Sequence, residues 1–186
     1  MKVQFSQIPN ILTGLRFILT IPIVFTLINQ EYFTTIILFF IAGSTDALDG
    51  FIAKKFNFQS RIGSILDPAA DKFLLTIVFL TMYLTNILPL WLFALIFLRD
   101  IMIVTGAIGF FIGSDEKQQL EPSNISKINT FLQIFLVLYI VFSQIYPFMQ
   151  NWLMELFIIT ATTTVLSGMD YIWLWVKKFI LQEKNN

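Results

Sequence analysis

Six long apolar blocks separated by short polar breaks make up most of this 186-residue chain. They run from about Ile8 to Ile28, Tyr32 to Lys54, Ser64 to Thr85, Ile87 to Gly113, Ile125 to Tyr146 and Trp152 to Ile180. A helix crosses a bilayer with about 20 mostly apolar residues, and each block meets that length. The pattern predicts an all-α integral membrane protein of six transmembrane helices. Pro22 inside the first block predicts a kink there. Met1 to Gln7 is short and amphipathic, which fits an interfacial segment along the membrane surface. Lys2 before an apolar run imitates a secretory leader. However, Arg16 lies within the run, and Asn29-Gln30-Glu31 offers no small-residue cleavage pattern, so the block reads as a retained span. Ser114 to Asn124 reads as a surface loop and Lys177 to Asn186 as a polar tail. No repeat or separate soluble segment interrupts a single membrane domain over residues 1–186.

Charge orients the blocks. Lys2, Lys54, Lys55, Arg61, Lys72, Lys117, Lys127, Lys177, Lys178 and Lys184 fall on the side of the two termini, whereas the connections near Glu31, Asn86 and Tyr146–Trp152 carry no Lys or Arg. The positive-inside rule then puts both termini in the cytoplasm. Composition agrees: 56% of residues are hydrophobic and 13% charged, against roughly 25% charged in a soluble domain. The formal net charge is zero and there is no basic arm, which argues against nucleic acid as a partner. Cys and His are both absent. Any acid–base or metal chemistry must therefore use carboxylates, Lys, Tyr or water.

Four carboxylates stand out against this apolar background. Asp46 and Asp49 sit i,i+3 near the far end of the second block, and Asp67 and Asp71 sit i,i+4 at the start of the third. Each pair shares a helix face, and a short loop between antiparallel neighbours brings both pairs to one membrane side. Asp46 and Asp49 lie roughly 20–25 Å along their helix at about 1.5 Å per residue, near the cytoplasmic surface. Four such anions crowd together only if cations neutralise them. Oxygen donors without His or Cys suit Mg²⁺ or Mn²⁺. A lone Asp67 before Pro68 could simply cap a helix, but four intramembrane acids together point to function.

Two ions in such a cleft would stabilise a phosphoryl or pyrophosphoryl group, and one carboxylate could take a proton from an attacking hydroxyl. Arg16, Lys54, Arg61, Arg99 and Lys127 are the cations available to hold further phosphates. For Lys54 and Lys55 a plain surface charge serves equally well. Arg99 lies mid-block beside Asp100, so an internal ion pair or a ligand contact must account for it, and the ligand contact is the expectation. Gly50, Ala53 and Gly63 either let helices approach closely or leave room for a flat ligand. A cation channel would carry charge across the whole membrane, yet the outer halves of the blocks are almost free of it.

The run Asp-x2-Asp-Gly-x2-Ala-x9-Gly-x3-Asp-x3-Asp from Asp46 to Asp71 resembles the signature of the CDP-alcohol phosphatidyltransferases, membrane enzymes with six transmembrane helices. Every aspartate and small-residue position matches. The family usually has Arg directly after the motif alanine. Here Lys54 keeps the charge and loses the bidentate fork. Pro9-Asn10-Ile-Leu-Thr13-x-x-Arg16, Leu66-Asp67-Pro68-Ala-Ala70-Asp71-Lys72 and Arg99-Asp100 are similar to the phosphatidylglycerophosphate synthases of that family, and the likeness covers essentially the whole chain.

The resemblance implies transfer of a phosphatidyl group from CDP-diacylglycerol to sn-glycerol 3-phosphate with release of CMP, as a step of phospholipid biosynthesis. It implies that Asp46, Asp49, Asp67 and Asp71 hold two Mg²⁺ or Mn²⁺ ions on the donor pyrophosphate, and that Asp71 is also the base for the acceptor hydroxyl. Asn10, Thr13, Gly50, Ala53, Lys54 and Gly63 would bind the CDP moiety. Arg16, Arg61, Arg99 and Lys127 are expected to hold the acceptor phosphate. A homodimer in the plasma (inner) membrane, with its site open to the cytoplasm, is implied as well. Cardiolipin synthases carry a similar Asp-Pro-x-Ala-Asp stretch, so phosphatidylglycerol is the competing acceptor.

Overall fold

The computed structural model describes the backbone of residues 8–56, 63–113 and 123–183, with side chains within 14–45 (15 and 16 apart), 72–106 and 123–176. Six helices occupy them: α1 (Ile8–Ile28), α2 (Tyr32–Phe56), α3 (Gly63–Leu84), α4 (Leu90–Gly113), α5 (Asn124–Ile145) and α6 (Leu153–Glu183). A 3-10 turn, Pro147–Trp152, links the last two. Among the described residues there is no strand. Two stretches of them, Asn124–Ile145 and Pro147–Val176, are long and apolar enough to cross a membrane. Shorter apolar helices lie at Phe17–Ile28, Tyr32–Thr45 and Lys72–Leu84. The interfacial segment expected at Met1 to Gln7 lies outside the described residues.

The boundaries differ from the apolar blocks where local chemistry intervenes. α1 runs unbroken through Pro22. α4 begins at Leu90 rather than Ile87, because the chain first closes the end of α3 and then opens the new helix on the Pro89 carbonyl, which accepts from Leu92 and Phe93 N–H. α6 continues to Glu183 instead of yielding to a polar tail at Lys177.

Both tight turns are closed by the same device. Gln30 (φ 61°) and Asn86 (φ 58°) adopt the left-handed conformation just past α1 and α3. After α1, Gln30 N–H donates to Leu27 C=O and Glu31 N–H to Thr26 C=O. After α3, Asn86 N–H donates to Tyr83 C=O and Ile87 N–H to Met82 C=O. These paired bonds satisfy the last carbonyls of each helix and reverse the chain within a few residues.

The chain forms two compact units, Met1–Leu88 with Val137–Gln150 and Pro89–Leu136 with Asn151–Asn186. In the first, α1 packs along both α2 and α3. Ile23, Leu27, Ile36, Phe39, Val78, Phe79 and Met82 are buried there. In the second, α4 packs on α6. A Cβ at Gly106 of α4 would overlap the indole ring of Trp175 of α6, so only glycine permits this approach. Every helix also turns large apolar side chains outward, among them Phe25, Phe40, Phe73, Leu98, Phe131 and Trp173. Soluble proteins rarely expose apolar surface on this scale, whereas a lipid-facing surface requires it.

Candidate functional site

The register of the first unit comes from two contacts. Thr35 Oγ1 donates to Thr26 Oγ1 at 2.9 Å across the antiparallel α1–α2 hairpin. At equal rise along the two helices, this sets Asp46 of α2 level with Leu15 and Asp49 level with Leu12. On the other flank of α1 the rings of Phe17 and Phe73 stand 5.1 Å apart. α3 runs beside α1 in the same direction, which sets Asp71 level with Leu15 and Asp67 level with Ile11. The two acidic pairs thus fall at two shared heights, about one helical turn apart, on helices that both pack against α1.

α1 carries Asn10, Thr13 and Arg16 at the same heights, and α2 carries Gly50, Ala53 and Lys54 on its continuation. Gly63 is the first residue of α3, so Asp67 stands inside the helix and not at its cap. The side chains of Asn10, Thr13, Arg16, Asp46, Asp49, Gly50, Ala53, Lys54, Gly63, Asp67 and Asp71 lie outside the described ones, as does the whole of Arg61. Among the described residues no group of three or more His, Cys, Asp or Glu forms a metal cluster. The donor chemistry of the four aspartates, all carboxylate and at matched heights on two helices that pack against α1, fits hard divalent ions. An open groove along α2 is lined by Ile36, Ile37, Phe40, Ile41, Ser44 and Thr45.

In the second unit the structure places Arg99 in an ion pair, the alternative to the ligand contact that its sequence context favours. It is 4% exposed. Nη1 donates to Asp100 Oδ1 at 2.7 Å, and Nη2 donates to Ser126 Oγ at 2.7 Å and to Ser167 Oγ. Its guanidinium carbon lies 6.0 Å from the centroid of Tyr171, within cation–π range. Lys127, the neighbour of Ser126, is exposed.

Below this pair runs a buried polar seam that composition alone does not reveal. On α5, Ser126, Asn129 and Gln133 are all buried, and on α6 so are Thr160, Thr164 and Ser167. Asn129 Oδ1 accepts from Thr163 and Thr164 Oγ1, each at 3.0 Å. Gln133 is fully buried, and neither of its amide atoms has a partner among the described residues. The signal is present in the sequence as polar residues spaced three and four apart in both late blocks. They carry no charge, and nothing else in the sequence sets them apart from polar residues facing solvent.

The family profile for CDP-alcohol phosphatidyltransferase matches residues 6–177. The chain belongs to that family. Its members are transferases acting on phosphatidyl groups. The chain is 31% identical over 180 residues to the cardiolipin synthase (CMP-forming) of Homo sapiens, covering 88% of this chain and 60% of that protein. It is 34% identical over 187 residues to a cardiolipin synthase (CMP-forming)/mitochondrial hydrolase fusion protein of Schizosaccharomyces pombe, covering 92% of this chain and 31% of the relative. It is 36% identical over 129 residues to the CDP-diacylglycerol–glycerol-3-phosphate 3-phosphatidyltransferase of Aquifex aeolicus, covering 67% of this chain and 69% of the relative. The chain therefore spans three-fifths or less of the length of these two cardiolipin synthase relatives.

Proposed function

We propose that this chain transfers the phosphatidyl group of CDP-diacylglycerol to sn-glycerol 3-phosphate, releasing CMP. The observation that carries this reading is the matched height of Asp46 with Asp71 and of Asp49 with Asp67 beside α1. In the reaction the acceptor hydroxyl oxygen forms a bond to the lipid-bearing phosphorus, and the bond from that phosphorus to the CMP oxygen breaks. Asp71 takes the hydroxyl proton. The four aspartates would hold two Mg²⁺ or Mn²⁺ ions, which when bound neutralise charge on the pyrophosphate and leaving CMP.

Asn10 and Thr13 of α1, with Gly50, Ala53, Lys54 and Gly63 flanking the aspartates, would seat the CDP moiety, the small residues leaving room for a flat base. The groove on α2 gives an acyl chain a sideways path from the aspartates into lipid. Arg16, Arg61 and Lys127 supply cations for the acceptor phosphate. We further take residues 1–186 as one membrane domain of six spans, both ends cytoplasmic, working as a homodimer in the plasma membrane.

A second acceptor has its own support. The human and S. pombe relatives match most of this chain and are named as cardiolipin synthases. Phosphatidylglycerol would then replace glycerol 3-phosphate at the same donor site. Incubation of the purified chain with CDP-diacylglycerol, Mg²⁺ and labelled glycerol 3-phosphate should move label into the lipid phase and release CMP. CMP release with phosphatidylglycerol but not with glycerol 3-phosphate would transfer the assignment to cardiolipin synthesis, and release with neither would overturn it.

A further inference from the structure

We propose that Arg99 is a positioning residue that sets Lys127 through Ser126, rather than itself contacting the acceptor phosphate. The proposal rests on the reading that Lys127 holds that phosphate.

Three of the five N–H donors of Arg99 are engaged within the protein. Asp100 neutralises its charge, and both donors of Nη2 are taken by hydroxyls from two other helices. The remaining donors, the second N–H of Nη1 and the Nε that has no partner among the described residues, belong to a side chain that is only 4% exposed. A phosphate reaching this guanidinium would have to displace Asp100 or the serines in a site with almost no exposed surface. The same bonds make one side chain tie α4, which carries Arg99 and Asp100, to Ser126 on α5 and Ser167 on α6.

Ser126 is the point at which this tie acts on α5. Ser123 caps the helix: its Oγ accepts the Ser126 N–H at 3.2 Å, and its carbonyl accepts the Lys127 N–H at 3.1 Å. With the start of the helix set by that cap, the remaining freedom of the first turn is rotation about its axis. Arg99 holds Ser126 inward, and one turn later Asn129 is held inward by Thr163 and Thr164. Successive residues on an α-helix are separated by about 100°, so fixing Ser126 and Asn129 inward fixes the direction of Lys127. Lys127 is accordingly exposed while both its anchoring neighbours are buried. The burial removes water that would compete for these bonds and makes the anchor stiff.

The test is a kinetic double-mutant cycle on the full chain in mixed micelles, titrating glycerol 3-phosphate and CDP-diacylglycerol separately. Arg99→Ala would take the ion-pair partner from the buried Asp100 and risks misfolding, so the informative variants are Ser126→Ala, Ser167→Ala and Arg99→Lys. Ser126→Ala should raise the apparent KM for glycerol 3-phosphate about 3- to 10-fold, the range of coupled neighbours, with kcat and the donor KM little changed. In a Lys127→Ala background the same substitution should add nothing further. Ser167→Ala and Arg99→Lys should follow the same pattern.

An equal rise in KM in both backgrounds, or none in either, overturns the positioning role. A lowered Tm with unchanged KM means the network is merely structural and overturns it as well. If Arg99→Lys raises the acceptor KM while both serine variants do not, Arg99 touches the acceptor itself. If Lys127→Ala alone leaves the acceptor KM unchanged, the reading beneath the proposal has failed, and that outcome is visible before the cycle is closed.

Discussion

Asp71 and Asp46 share one height beside α1, yet the resemblance gives them different work: both hold metal, but only Asp71 also takes a proton. Asp71→Asn separates the two duties, since the amide keeps one oxygen for a metal ion and cannot accept a proton at neutral pH. Turnover should fall at least about 10²-fold, the usual scale for losing a general base, while the thermal melt stays near that of the parent. Turnover within a few-fold of the parent would remove Asp71 from the base role. At this scale the aspartates were legible because spacing on a helix is a property of the sequence itself. Arg99 was legible only in part. A charge inside an apolar block announces that something must satisfy it, but Ser126 and Ser167 lie 27 and 68 residues away, and only the packing of the helices brings them within reach.

At the scale of the element, length and apolarity located the six helices of the described residues, while their ends depended on backbone chemistry that apolarity does not encode. Gln30 and Asn86 both sit at positive φ, where a Cβ is a liability. Gln30→Gly removes that penalty and adds some freedom to the unfolded chain, so a net gain of up to about 1 kcal/mol is expected. Asn tolerates the left-handed region better, and Asn86→Gly should gain less. Thermal melts in a fixed detergent would check the order, and a lower Tm for Gln30→Gly would show that its side chain contributes more than its backbone costs. Gly106 makes the opposite point. Gly106→Ala places a methyl group in the Trp175 ring and should cost about 1–3 kcal/mol, as overpacking does. A melt unchanged from the parent would mean that α4 and α6 do not approach as described.

At the scale of the whole molecule, chemistry at the aspartates and direction across the bilayer belong together, because the proposed acceptor is water-soluble and must reach them from the cytoplasm. The metal half is checked by chelation. Excess chelator should abolish turnover and Mg²⁺ or Mn²⁺ restore it, whereas Ca²⁺, with its larger and looser coordination, should support little. Full turnover in chelator would rule out the two-metal reading.

The topological half of the proposal rests on charge placement, and the absence of cysteine makes it clean to measure. Six spans with cytoplasmic ends put the turns around Asn29, Asn86 and Asn151 outside, and the connections around Asn57 and Gln118, with Asn185, inside. Single cysteines at Asn29, Asn86 and Asn151 replace exposed side chains, so each thiol should meet solvent. In intact bacterial cells expressing the chain, an impermeant maleimide should label these three and leave Asn57→Cys, Gln118→Cys and Asn185→Cys unlabelled until the membrane is opened. In the proposed direction the basic residues stay inside, which is what the positive-inside rule favours. Labelling of Asn185→Cys from outside would mean an odd number of crossings. Labelling of Asn57→Cys and Gln118→Cys instead of the three outer positions would invert the molecule, turn the aspartates away from the nucleotide pool, and leave the proposed transfer without access to its acceptor.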